Sequence, residues 1–207
     1  MIVVTVPGLR GHVEDHWQTR FAAENPDVVP VPPLGHDNPS LRERVAALQE
    51  TIETLRDRVI LVAHSAGVLT TVHWASRSRN LPGNSPFADS QMGVLPGKFR
   101  DLGNVVGALL VTPPVLANEL PHGYPSLETL WDNGWLPIPR EPLPFPSIVA
   151  ASTNDALGSE PEVRALAGAW GSRYREIGAV GHLNPASGFG PWPEAQALIQ
   201  QVMEMQR

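Results

Sequence analysis

The sequence predicts an α/β fold: a three-layer α/β/α sandwich with about six mainly parallel strands. Short apolar runs alternate with amphipathic helical stretches along the whole chain. The runs are continuous and do not alternate apolar with polar, as strands covered by helices on both faces require. The 22 prolines and 18 glycines fall between the runs, as loop punctuation should. A chain of 207 residues suits one domain, 1–207, with one sizeable core.

Residues 2–6, Ile-Val-Val-Thr-Val, read as the first strand, and Pro7-Gly8-Leu9-Arg10-Gly11 as the loop after it. Residues 16–23 look helical, with Trp17 and Phe21 four apart on one face. Residues 28–31 form a short strand closed by Pro32-Pro33. Ser40 is placed to cap the next helix, where Leu41, Val45, Leu48, Ile52 and Leu55 recur at steps of four and three. A strand at 59–62 and a helix at 66–76 come next. The segment 80–103 has few apolar clusters and many Gly, Pro, Ser and Asn residues; it reads as a long surface excursion. Beyond it come a buried strand at 105–112, a Pro-rich stretch with a short helix near 126–131, and a strand at 147–151. A helix at 160–170, a last strand at 174–177 and a last helix at 194–205 complete the pattern. No internal repeat, heptad or interdomain linker interrupts it.

The net charge of −6 argues against a nucleic-acid footprint and against an anionic membrane surface. With no cysteine there are no disulfides, thiolate nucleophiles or Cys-based zinc sites. The N-terminus lacks a basic region, its apolar stretch is too short for a signal peptide, and no run approaches a membrane span. A soluble cytoplasmic protein is the expectation.

The stretch Arg58-Val-Ile-Leu-Val-Ala-His-Ser65-Ala-Gly-Val-Leu69 is the most informative in the chain. A β-branched apolar run meets a serine flanked by small residues, and helix-compatible sequence begins at once. A nucleophile elbow reads this way: strand, sharp turn with serine at the apex, helix. Crowding there demands small residues two before and two after the serine. Ala63 and Gly67 meet the demand, although the usual first residue is Gly. The bland alternative is a buried strand ending in a Ser-containing turn.

Ligands of open parallel sheets sit beyond the carboxyl ends of the strands, so the residues just past each strand matter most. Gly8-Leu9 succeeds the first, Ser65 the third, Ser152-Thr-Asn-Asp155 the fifth and Ala179-Val-Gly-His182 the sixth. The order Ser…Asp…His is that of α/β-hydrolases. Ser65 would be the nucleophile, His182 its base and then the acid for the leaving group, and Asp155 the group that orients the imidazole. The backbone N–H groups of Leu9 and Ala66 are the expected donors to the oxyanion. Asp155 also suits a plain turn in Asn-Asp-Ala-Leu-Gly, and His182 a loop or capping role. His12 and His16 are four apart but lack a third ligand, so no metal site is expected. The glycines form neither a phosphate loop nor a dinucleotide fingerprint, and no cofactor is implied.

The chain resembles the retinoblastoma-binding protein 9/YdeN family of small serine hydrolases, within the α/β-hydrolase superfamily. The likeness spans nearly the whole length. It is carried by Val6-Pro-Gly8, His16-Trp-Gln18, the elbow 63–67 with His73-Trp-Ala75 behind it, Gly107-Ala-Leu-Leu-Val111 and Leu143-Pro-Phe-Pro146. It continues through Ala151-Ser-Thr-Asn-Asp155 and Gly181-His-Leu-Asn184, and ends with Ser187-Gly-Phe-Gly-Pro-Trp-Pro-Glu194, a run specific to the family. The resemblance implies a truncated α/β-hydrolase without the first strands or a large lid. It implies the strand order 2-1-3-4-5-6 and the same triad: Ser65, Asp155 and His182. Ala156 departs from the family's usual Pro, and 80–103 looks longer than in typical relatives.

The expected function is therefore hydrolysis of a small-molecule ester, less so an amide, through an acyl-enzyme, with no metal or organic cofactor. Two alternatives stay open. One is a binding module of the same fold with vestigial activity; the other is a triad enzyme that transfers the acyl group elsewhere. The sequence leaves the oligomeric state undetermined.

Overall fold

The computed structural model describes residues 1–35, 38–79 and 104–206; the excursion expected at 80–103 lies outside them. Six strands, β1 (Ile2–Val6), β2 (Val28–Pro30), β3 (Val59–His64), β4 (Val105–Val111), β5 (Ser147–Ala151) and β6 (Arg173–Glu176), form one sheet in the order β2-β1-β3-β4-β5-β6. Every neighbouring pair is parallel. The connecting helices are α1 (Trp17–Glu24), α2 (Leu41–Glu53), α3 (Ala66–Arg79), α4 (Leu127–Asp132), α5 (Glu160–Ala169) and α6 (Glu194–Glu204). No described helix is long and apolar enough to cross a membrane.

The apolar strands are explained by the two faces they must fill. Along β3, Val59, Leu61 and Ala63 join the core on one face, while Ile60 and Val62 join the core on the other. A period of two thus sorts one continuous run into two layers. The first face takes Leu41 and Leu48 of α2, Val68 and Val72 of α3, and Leu166 of α5. The second takes Trp17 of α1 and Leu198, Ile199 and Val202 of α6. On this second face α6 comes so close to β4 that a Cβ on Gly107 would lie 2.6 Å from a Val202 methyl.

The expectation of apolar strands fails at β6, which reads Arg-Tyr-Arg-Glu and begins one residue before the predicted start. As the last strand of the sheet it has one partner and an open row of backbone groups. Charged side chains there discourage pairing with another chain. Helix starts are set by their caps. The hydroxyls of Ser40 and Ser126 accept from Glu43 N and Thr129 N at 3.3 and 3.1 Å.

The chain runs from β1 outward to β2, then returns past β1 to β3. The loops after β1 and β3 therefore diverge, and a crevice opens between them at the carboxyl edge of the sheet.

Candidate active site

Ser65 stands at the end of β3 with φ 58°, a left-handed conformation that a non-glycine residue occupies only under constraint. Its N–H donates to Val111 O at 3.0 Å, and its own carbonyl accepts from Val68 N at 2.9 Å to open α3. Neighbouring glycines permit the turn. A Cβ on Gly8 would lie 3.2 Å from Ser65 Cβ, and a Cβ on Gly67 only 2.1 Å from Val6 O. The strand that crowds Gly67 is therefore β1, the next strand in the sheet, with Pro7 just beyond its end.

The three side chains that the sequence singled out come together. Ser65 Oγ lies 2.7 Å from His182 Nε2, and His182 Nδ1 lies 2.8 Å from Asp155 Oδ2. A carboxylate only accepts, so the hydrogen sits on Nδ1 and Nε2 is left to accept the serine hydroxyl. The His182 and Asp155 side chains are 8% and 2% exposed. The second carboxylate oxygen accepts from Leu157 N at 2.9 Å, which fixes its plane.

The loop bearing His182 is held from several sides. Asn154 Oδ1 accepts from Gly181 N at 2.6 Å, and Ser152 Oγ accepts from Val180 N at 3.2 Å. The Ser187 hydroxyl accepts from His182 N at 3.1 Å, and His64 Nε2 donates to His182 O at 2.9 Å. Gly181 adopts φ 56°, and a Cβ there would press on the Ser187 side chain at 2.8 Å. Sequence reasoning quoted Ser152, Asn154 and Ser187 as part of a resemblance but assigned them no task. Ser152 and Asn154 bond backbone amides of another loop, and Ser187 the amide of His182 five residues back in its own loop; no local pattern announces these bonds.

A cavity of about 580 Å³ opens over Ser65 and His182. Leu69, Leu116, Leu120, Leu130, Trp135 and Leu157 give it apolar walls, and among the described residues no carboxylate lines it. Leu9 and Ala66 line the cavity along with Ser65, so both residues expected to supply the oxyanion donors border it. Arg10, over the Tyr124 ring at 5.5 Å, is the one charged residue apart from histidines among the described residues of the lining.

Two further histidines pack beside the site. His16 caps α1 by accepting from Gln18 N at 3.2 Å, and its ring lies 4.6 Å from that of His64. Burial, and then the nearby His182, push His16 down to about 4 and His64 well below the ordinary value. Both are neutral near pH 7. His12 and His16 do not gather a metal-binding set; among the described residues no three His, Asp or Glu could hold an ion together.

Solved structures similar to this chain share its fold. A YdeN-like hydrolase from Pectobacterium atrosepticum is 24% identical, with a TM-score of 0.74 over 99% of this chain and 91% of the other. The ydeN gene product of B. subtilis is 18% identical, with a TM-score of 0.60 over 98% of each. A monoacylglycerol lipase from Paleococcus ferrophilus is 15% identical, with a TM-score of 0.61 over 99% of this chain and 93% of that one. None of the curated proteins matches the chain in sequence. The architecture is thus that of the α/β-hydrolases. The model of the family described as serine hydrolase matches residues 3–83 and 97–201, nearly the whole chain, which makes this protein a member of the serine hydrolase family and an enzyme of the hydrolase class.

Proposed function

We propose that the protein hydrolyses small esters with an apolar acyl group, through an acyl-enzyme on Ser65. The observation that carries this is the relay Asp155–His182–Ser65, at 2.8 and 2.7 Å, beneath an apolar cavity. Ser65 Oγ attacks the carbonyl carbon as its proton passes to His182 Nε2. The carbonyl oxygen becomes an oxyanion, for which the N–H groups of Leu9 and Ala66 are the donors. His182 then gives its proton to the leaving oxygen, the C–O bond breaks and an alcohol departs. Water repeats the attack on the acyl group with the same proton shuttle. The acid leaves and Ser65 regains its hydrogen. Asp155 keeps the proton on Nδ1 and stabilises the imidazolium between transfers. No step calls for a metal or an organic cofactor.

Leucines and Trp135 favour an acyl chain over a charged or peptide-like one, because burying an unpaired polar group would cost several kcal/mol on the order-of-magnitude scale for transfer from water. Structural neighbours include a thioesterase of the prodiginine pathway in Streptomyces coelicolor and the monoacylglycerol lipase, both of which suit the same acyl chemistry. The test is a screen of short acyl esters and peptide amides against wild type and Ser65→Ala, with fluorophosphonate labelling mapped by mass spectrometry. Ester turnover lost in Ser65→Ala, with label at Ser65, is the expected result. Full esterase activity in Ser65→Ala would overturn it, and a wild type that binds esters without turnover would make the chain a binding module. Products formed with added alcohols in place of water would reassign it to acyl transfer.

A further inference from the structure

Arg44, on α2, is 5% exposed, and its guanidinium donates to three backbone carbonyls. Its two terminal nitrogens reach Gly8 O at 3.3 Å, Leu9 O at 3.1 Å and Asn38 O at 3.2 Å. Two of these carbonyls belong to the turn after β1. We propose that Arg44 is a positioning residue of the oxyanion site: by holding the Gly8 carbonyl it sets the plane of the peptide that carries the Leu9 N–H. The proposal rests on the function proposed above, in which Leu9 N–H receives the oxyanion.

In a trans peptide the C=O and the next residue's N–H point in opposite directions. With the Gly8 carbonyl turned onto Arg44, the Leu9 N–H is turned away from it. Gly8 itself abuts Ser65, since a Cβ there would lie 3.4 Å from Ser65 Oγ, and Leu9 borders the cavity. Gly11 N also donates to Gly8 O, at 3.1 Å, so the same peptide plane has a second tether.

The residue type matters. The carbonyls of Gly8 and Leu9 are consecutive, yet both point at one guanidinium. Two adjacent carbonyl dipoles aimed at the same place repel each other unless donors lie between them, and a cation offsets the repulsion most strongly. Arginine presents several donors in a rigid planar fork and can satisfy both at once; a lysine is a single point charge on a flexible stem. The positive group also lies on the carbonyl side of the turn, so it polarises the peptide in the sense that strengthens its N–H as a donor. A purely structural role would use the same bonds and would show in stability alone.

Arg44→Met, of similar length and without donors, separates the two roles. The readouts are kcat and KM on a simple ester, the affinity for a trifluoromethyl ketone that forms a tetrahedral adduct, and the melting temperature. Loss of one oxyanion donor lowers kcat by about a hundredfold or more. The expected result is a loss of that size with KM changed less than about threefold and ketone affinity falling in parallel with kcat/KM. Arg44→Lys, which keeps the charge but not the fork, should fall in between, at about a tenfold loss. It decides the question if Arg44→Met does not fold. A folded variant with wild-type kcat and ketone affinity, or a loss confined to KM, overturns the proposal. Fluorophosphonate keeps this apart from the parent reading. A wild type unlabelled at Ser65 defeats the proposed function. A labelled Ser65 with undisturbed Arg44→Met kinetics defeats only the clamp.

Discussion

Asp155 gives one carboxylate oxygen to His182 Nδ1 and the other to Leu157 N, at 2.8 and 2.9 Å. Both partners donate, so both oxygens must accept. In Asp155→Asn one of the two positions becomes an NH₂ group that faces a donor. If it faces His182, the ring must carry its hydrogen on Nε2 and can no longer take the serine proton. The expected loss in kcat is on the order of 10⁴-fold with the fold retained, measured by ester kinetics beside circular dichroism. A variant within tenfold of wild type would remove Asp155 from the reaction. EDTA should leave the rate unchanged, and a rate abolished by EDTA and restored by a divalent ion would replace the triad mechanism.

At the scale of the element, the β3–α3 elbow makes a prediction that helix propensity would contradict. Gly67 lies in α3, where Gly→Ala ordinarily stabilises by about 1 kcal/mol. Here the added methyl would sit 2.1 Å from Val6 O and 2.8 Å from Pro7 O, both backbone atoms that no rotamer change can move. Gly67→Ala should therefore destabilise, by roughly 1–3 kcal/mol through overpacking, and Gly67→Val by more. Because β1 leads directly into Gly8 and Leu9, any shift that relieves the clash also moves the proposed oxyanion turn, and kcat should fall further than stability requires. Urea unfolding and kcat on the same preparations test this. Unchanged melting and activity in Gly67→Val would mean that helix and strand do not crowd each other.

For the whole molecule, three buried histidines contribute to the loss of stability in acid. His16 and His73 are each pushed down to about 4, chiefly by burial, and His64 well below its ordinary 6.5 for the same reason. These rings are neutral in the fold, whereas in the unfolded chain they take up protons below pH 6.5. Unfolding then binds protons, and stability must fall as pH falls. The contribution is intact above pH 6.5 and is lost progressively between about 6.5 and about 4 for His16 and His73. At the bottom of that window each costs at most roughly 3 kcal/mol, an upper figure set by the linkage relation. The urea midpoint should drop steadily between pH 7 and pH 4.5. A flat midpoint across that range would mean the rings are not buried neutral.

Composition and periodicity were enough for the layered parallel sheet, because a strand covered on both faces has to be largely apolar, and β1, β3, β4 and β5 are, with Thr5, His64 and Ser147 as polar members. They placed β6 to within one residue, but its edge position lifts the demand for apolar residues and allows Arg173, Arg175 and Glu176. Local pattern also carried Ser65, since an elbow imposes small residues at fixed spacing, and strand order then suggested Asp155 and His182. Chain order and resemblance favour Asp155 over a turn residue; the distances that join it to His182 and His182 to Ser65, across 27 and 117 positions in sequence, belong to the tertiary structure. The supports of the site were illegible for the same reason. Arg44 sits in a helix 36 residues from Gly8, and Asn154 reaches Gly181 across two loops. A residue that works by holding a distant backbone group leaves no periodicity and no motif; only the folded chain brings the donor and its acceptor together.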